Sequence, residues 1–222
     1  MQLDTPQTKR VAAALLLVTV IWSINGVYLA ALARVSTSLF WAADLLQWIL
    51  VPGLLAVLLA KTAAVQPRHY GLGPAEHRWY AAALASVGVG ATTGFAFFWS
   101  RNASWELLGQ PTGFFSLPTA FPAGSLGTVT WVYSAVTAGL VESAFFIGLP
   151  WLLYRSLRLA PSKAIFTVLV SVLFGVCHWE QGPHVVVGAF CSHIVACVWF
   201  FALRTLWPVA AGHTMVDLVA FG

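Results

Sequence analysis

Glu142, His178, His213 and Asp217 each fall inside, or at the end of, a long apolar run. An ionisable side chain in such a run is costly and calls for a reason. Glu142 has no Lys or Arg one helical turn away, so its carboxylate is free to accept a proton. His213 and Asp217 are four residues apart and share one helical face. A carboxylate so placed can fix the tautomer and orientation of the imidazole. His178 ends its run, with Phe174 one turn earlier on the same face and Gly182-Pro183 breaking the chain just beyond. One Glu, two His and one Asp at a common depth are a set for hydrolysis. The carboxylate deprotonates water, and a histidine stabilises the oxyanion or protonates the leaving amine. The same four side chains could also bind a divalent metal such as zinc.

The elements that must position them are membrane helices. The chain has 222 residues, of which 59% are hydrophobic and 8% charged, against about 25% charged in a soluble domain. Too little polar surface exists to cover a globule of this size in water. The apolar runs fall near 11–33, 39–60, 79–99, 129–154, 163–179, 184–203 and 206–221, and most have the length of a transmembrane helix. The expected fold is therefore all-α, a polytopic bundle of about seven spans forming one domain over 1–222. It divides into N-terminal helices (11–99), an interfacial loop (100–128) and a core (129–222). The first run lacks a small-residue cleavage pattern and reads as an uncleaved span rather than a signal peptide. The eleven Trp of the whole chain suit interfacial anchors. The three cysteines, Cys177, Cys191 and Cys197, match no metal or redox spacing.

Two connections are long. Lys61–Arg78 contains Pro67, Gly71, Gly73 and Pro74 and reads as a polar loop. Asn102–Thr128 contains three prolines, Phe114, Phe115 and Phe121, and reads as an interfacial segment able to act as a lid. Asn102-Ala-Ser104 fits a glycosylation acceptor, a pattern frequent by chance. Lys9, Arg10, Lys61, Arg68, Arg78, Arg155, Arg158, Lys163 and Arg204 fall on one side of the seven-span arrangement, and Arg34 and Arg101 on the other. Nine against two predicts a cytoplasmic amino terminus, with the site opening towards the outer face. The sequence pI near 9.2 then reflects topology, not nucleic-acid binding. With a rise of about 1.5 Å per residue, Glu142 and His178 lie roughly 20–22 Å from the cytoplasmic ends of their helices, and His213 and Asp217 about 10–16 Å. These depths overlap enough for one cluster.

At these residues the chain resembles the CAAX prenyl protease type II and bacteriocin-processing group of intramembrane proteases (CPBP). The family's first motif, Glu-Glu-x-x-x-Arg, is met by Glu142-Ser143-Ala144-Phe145-Phe146-Ile147, followed by the family's Gly at Gly148. Its Phe-x-x-x-His is Phe174 to His178, and its His-x-x-x-Asn/Asp is His213 to Asp217. The ordered set covers about 130–220. The resemblance implies a CPBP-like core in the C-terminal half, Glu142 as the water-activating base, His178 assisting, and His213 and Asp217 completing the site, with or without a metal. It implies an intramembrane endopeptidase acting on a membrane-anchored protein or peptide in a lipid bilayer. The high Ala/Leu/Val/Gly content and short loops point to a bacterial cytoplasmic (inner) membrane as its location. Myxosortase-type members, which trim carboxy-terminal anchors, are one option. The family's second Glu and its Arg are Ser143 and Ile147 here. Both partners of an i,i+4 pair are lost together, which reads as replacement of a structural ion pair.

Two other readings compete. A non-catalytic relative would bind a peptide in the same cavity, as immunity-type proteins do. A small transporter would use Glu142 and the histidines as a relay, although no inverted repeat is visible between the halves. Among the remaining polar residues, His193 is expected to support or pack against the cluster. Glu180 and His184 flank the loop after His178, by default as solvated residues, with Glu180 supporting the site. Asp44 is expected to be a buried partner of another helix's polar group.

Overall fold

The computed structural model describes residues 2–73, 79–115, 117–122, 124–157 and 162–221. Pro74, Arg78 and Arg158, which enter the loop and charge readings above, lie outside the described residues. Helix α1 (Thr5–Ser23) starts at Asp4, whose carboxylate accepts from the Gln7 amide at 2.8 Å while the Gln7 side chain accepts from the Asp4 amide at 3.0 Å. This reciprocal cap satisfies two otherwise orphaned donors. The helix breaks at Ile24 and resumes as α2 (Asn25–Val35), bent by 49°. The break leaves the Ser23 carbonyl to accept from the Trp179 indole at 2.7 Å. Next come α3 (Thr37–Leu45), a π-helical turn (Leu46–Leu50) and α4 (Val51–Ala63), which run on as one rod.

Helix α5 (Trp79–Leu107) is followed by a loop and by α6 (Ser125–Glu142). A second π-helical turn (Ser143–Gly148) joins α6 to α7 (Leu149–Ser156). Helices α8 (Lys163–Val176), α9 (Pro183–Leu203) and α10 (Trp207–Phe221) complete the chain, and no strand is present among the described residues. All seven expected apolar runs are helical. Four rods are long and apolar enough to cross a bilayer, five if the bent α1–α2 pair is one span. The expected count of seven is therefore not met by length. At about 1.5 Å per residue α8 and α10 fall well short of a core of about 30 Å, because α8 is stopped by the turn that carries His178. The many exposed leucines, valines and aromatics, such as Leu16, Leu54, Leu84, Phe95, Val129, Leu169 and Val219, form the lipid-facing surface of an integral membrane protein.

One boundary differs from the sequence reading. Helix α5 runs two turns further than expected, so the loop begins after Leu107 rather than at about residue 100. Asn102 and Ser104 are then helical, and the Ser104 hydroxyl is turned to the backbone of Arg101 at 3.0 Å, unlike the exposed loop that an acceptor sequence needs.

The core helices approach closely through small residues. Helix α5 packs along α9 and α10, and α6 packs along α10. A Cβ on Gly139 would meet Thr214 Oγ1 at 2.3 Å and the Ala210 carbonyl at 2.7 Å, and one on Gly212 would meet Val89 at 2.6 Å and the Gly90 amide at 2.7 Å. In a bilayer such backbone proximity supplies the packing that lipid cannot. Gly53 by contrast faces open space, with nothing within 4 Å of a Cβ. Gly139→Ala is expected to destabilise the fold by about 1–3 kcal/mol through overpacking. Gly53→Ala is expected to be neutral or stabilising by up to about 1 kcal/mol from helix propensity. Thermal unfolding of both variants in one detergent checks the contrast, and equal midpoints would remove the close-packing role of Gly139.

Candidate active site

Two helices and the turn after a third carry the four candidate residues to a single place. Glu142 is the last residue of α6, where the backbone widens from α-helical to π-helical geometry. Such widenings recur at functional sites because they re-aim a side chain. Opposite it, His213 lies one turn after Ala210 and next to Thr214, the two residues that Gly139 touches. The close approach at Gly139 thus sets the gap between the two side chains. His213 Nε2 lies 3.4 Å from Glu142 Oε2 and 3.6 Å from Asp217 Oδ2. One imidazole nitrogen therefore faces two carboxylates, one on each of two helices. Glu142 is 9% exposed.

His178 enters from α8. That helix is capped at its start by the Ser162 hydroxyl and ends at Val176, after which Gly182, at φ 103°, turns the chain into α9. Only a residue without a Cβ adopts that φ freely. The His178 Nδ1 contacts the Phe174 carbonyl at 2.8 Å. A carbonyl only accepts, so Nδ1 donates, and Nε2 of the neutral ring carries the lone pair. The Phe174 ring joins the histidines: its centroid is 4.7 Å from His178, 4.4 Å from His193 in a stack, and 5.9 Å from His213. His193 is held by the Ser171 hydroxyl at 3.1 Å. Phe174 and His193 thus pack against the cluster.

Glu142, His178, His213 and Asp217 all line one cavity of about 690 Å³. Among the described residues no group of three or more His, Cys, Asp or Glu side chains could hold a metal ion.

The solvated default for Glu180 is corrected by its surroundings. It is 4% exposed, because the first turn of α2 presses on it; a Cβ on Gly26 would meet its Cγ at 2.2 Å. Its carbonyl accepts from the amides of Phe114 and Phe115 at 2.9 and 3.3 Å. The loop between α5 and α6 is thereby pinned over the cavity, and Gly113 lies so close that a Cβ would meet the Glu180 carbonyl at 2.4 Å. Glu180, His184, Phe114 and Phe115 line the cavity with the four candidates.

The N-terminal helices also contribute, which the sequence reading did not foresee. Trp22, Asn25, Asp44 and Trp48 line the same cavity, and Trp22 stacks on Trp48 at 4.9 Å and on Phe146 at 5.4 Å. A buried Asp in a span was the available signal for that wall.

Ser143 and Ile147 are 2% and 1% exposed. Both line a small cavity of about 20 Å³ together with Glu142, His193 and His213. Ile147 joins Phe166, Val170, Cys197, Phe200, Leu206 and Val209 in an apolar cluster.

Residues 124–219 match the family described as type II CAAX prenyl endopeptidase, Rce1-like. No curated protein and no solved structure matches the chain. The matched stretch holds all four candidate residues and none of the Trp22–Trp48 wall.

Burial strips water from the Glu180 carboxyl and pushes it up from 4.5 to about 7. A carboxyl so raised stays protonated in the native state at pH values where the unfolded chain has ionised it. Its contribution to stability is whole below about 4.5 and is lost as the pH rises to about 7. The thermal midpoint in detergent is expected to fall across that window, and Glu180→Gln is expected to flatten the fall. A slope unchanged by the substitution would assign the titration to another group.

Proposed function

Because residues 124–219 match the family described as type II CAAX prenyl endopeptidase, Rce1-like, we propose that the chain is an intramembrane endopeptidase of the CPBP group in which Glu142 activates the attacking water. The supporting observation is the meeting of Glu142 with His213 and Asp217 on the wall of one cavity that His178 also lines. Glu142 takes a proton from water, and the oxygen adds to the scissile carbonyl carbon. The tetrahedral intermediate expels the amine, which receives a proton, leaving one acid and one amine from one peptide and one water. His178, with its Nε2 lone pair free, accepts a hydrogen bond from that water and then passes the proton that Glu142 has taken on to the leaving amine, which restores the Glu142 carboxylate. His213 positions the Glu142 carboxylate, and Asp217 holds His213 in the orientation that does so.

The peptide bond must be brought to a buried site, so the substrate is a protein or peptide with a hydrophobic segment, drawn from the bilayer. Trimming of a membrane anchor is one such reaction. Counted over seven crossings, with the short α8 and α10 included, the bias of nine basic residues against two supports a cytoplasmic amino terminus and a cavity mouth on the outer face of a bacterial inner membrane. Cleavage of a reporter is then expected only when its cleavable segment is presented from the outer face in vesicles of known sidedness. Cleavage confined to the cytoplasmic face would reverse the topology.

The decisive comparison is wild type against Glu142→Gln. Both are co-reconstituted in liposomes with membrane-anchored test peptides, with and without a chelator. Glutamine keeps the shape but cannot take the proton, and product formation is expected to fall by about 10²–10⁴-fold. Equal cleavage by the two would eliminate Glu142 as the base. Binding of the peptide without cleavage by either would favour the peptide-binding relative. Loss of wild-type activity with chelator would bring a metal into the mechanism.

A further inference from the structure

The cavity has a second polar wall, built outside the family-matched residues by α2 and α3 and completed by the middle of α6. Asp44 is 1% exposed and lines the cavity, and its Oδ2 has no hydrogen-bond partner. Asn25 Oδ1 and Ser134 Oγ are buried in the same condition on the same cavity. The Tyr133 hydroxyl approaches Asp44 without closing a hydrogen bond of ordinary geometry. Gln47 behind it is engaged through Oε1 by the Tyr28 hydroxyl. Among the described residues no Lys, Arg or His forms an ion pair with Asp44. The expectation that Asp44 pairs with a polar group of another helix is thus met only by that loose approach.

A carboxylate taken out of water costs several kcal/mol unless a charge or several donors answer it. Packing alone does not call for it, since asparagine has nearly the same shape. A cation brought in by the substrate would supply what the protein withholds. Arg34 and Arg101 also line the cavity, but neither forms an ion pair with Asp44, and aromatic rings stand nearer to it in the chain. Trp48, one turn along from Asp44, lines the cavity stacked on Trp22, and aromatic faces attract ammonium and guanidinium groups. Resting on the peptidase reading for the nature of the occupant, we propose that Asp44 is a specificity-determining residue that receives a lysine or arginine side chain of the peptide held in the cavity. Asn25 and Ser134 take main-chain groups of the same peptide. Those groups need partners once they leave water.

The test is equilibrium binding, so that it does not depend on turnover. Full-length Glu142→Gln protein in nanodiscs is titrated with fluorescent peptides carrying one apolar anchor. A single lysine, or its uncharged counterpart norleucine, is scanned along the segment beside the anchor. At one or more neighbouring positions lysine is expected to bind at least about ten-fold tighter than norleucine, and adding Asp44→Asn is expected to reduce that ratio to about two-fold or less, with the norleucine peptide's affinity held. Lysine and norleucine alike at every position, including no binding of either, would overturn the proposal. So would a preference that survives Asp44→Asn, or a loss of affinity for both peptides together, the mark of a merely structural role. Should Asp44→Asn fail to fold, Asp44→Glu keeps the charge and must keep the preference. Peptide hydrolysis itself is judged separately by the cleavage comparison. A lysine preference in a protein that never cleaves would leave Asp44 as assigned and remove the peptidase reading alone.

Discussion

A base, an imidazole and a water molecule can work together inside a bilayer only if two helices come closer than side chains normally allow. In this chain that approach is made at Gly139, where α6 touches the backbone of α10 at Ala210 and Thr214. Glu142 lies three residues beyond the contact and His213 between the two residues contacted, so the 3.4 Å distance between them follows from the missing Cβ. Gly212 repeats the device on the other side of α10, against α5. Helix α10 is thereby clamped between two backbones, and its short length needs no further anchor within the bundle.

The second requirement is a polar space in an apolar bundle. Unbroken helices would fill it with their own side chains. Here the walls are interrupted: the bend at Ile24, the two π-helical turns and the turn after α8 all border the cavity or carry residues that do. Two of the interruptions also have their backbone answered. The Ser23 carbonyl freed near the bend is taken by the Trp179 indole, and the Glu180 carbonyl by two loop amides. Irregular backbone at membrane depth is tolerated where it is satisfied by protein in this way.

Much of this was legible in the residues. The seven apolar runs are the helical segments observed, and the i,i+4 spacing of His213 and Asp217 is the spacing that brings them together. The glycines of α5 pack as expected, with Gly90 facing the backbone of Gly212. What the residues did not disclose is non-local. Periodicity says nothing of helix widening, so the π-helical turn after Glu142 was invisible. Hydropathy overestimated α8 because His178, Trp179 and Glu180 continue an apolar neighbourhood while leaving the helix. The burial of Glu180 depends on Gly26, more than a hundred residues away, and no local pattern carries such a contact. The N-terminal wall was missed for the same reason: its residues show a function only beside the core they face.

The exchange at Ser143 and Ile147 can now be weighed by what surrounds it. A Glu and an Arg placed there would have to be desolvated together, and Ile147 now packs among six apolar residues. Replacing a buried ion pair with apolar groups is often neutral or stabilising. The replacement here is incomplete, since Ser143 Oγ is buried without a partner, a deficit of about 1–3 kcal/mol by itself. That residue of polarity borders Glu142 and His213 across the small cavity they share. The orientation of Glu142 therefore rests on other supports: the widened turn that begins immediately after it, the imidazole facing it from α10, and the glycine one turn earlier that lets α10 come so near. None of the three needs a charge at position 143 or 147. Absence of an ion pair at positions 143 and 147 and a close Glu142–His213 contact are physically compatible in this chain.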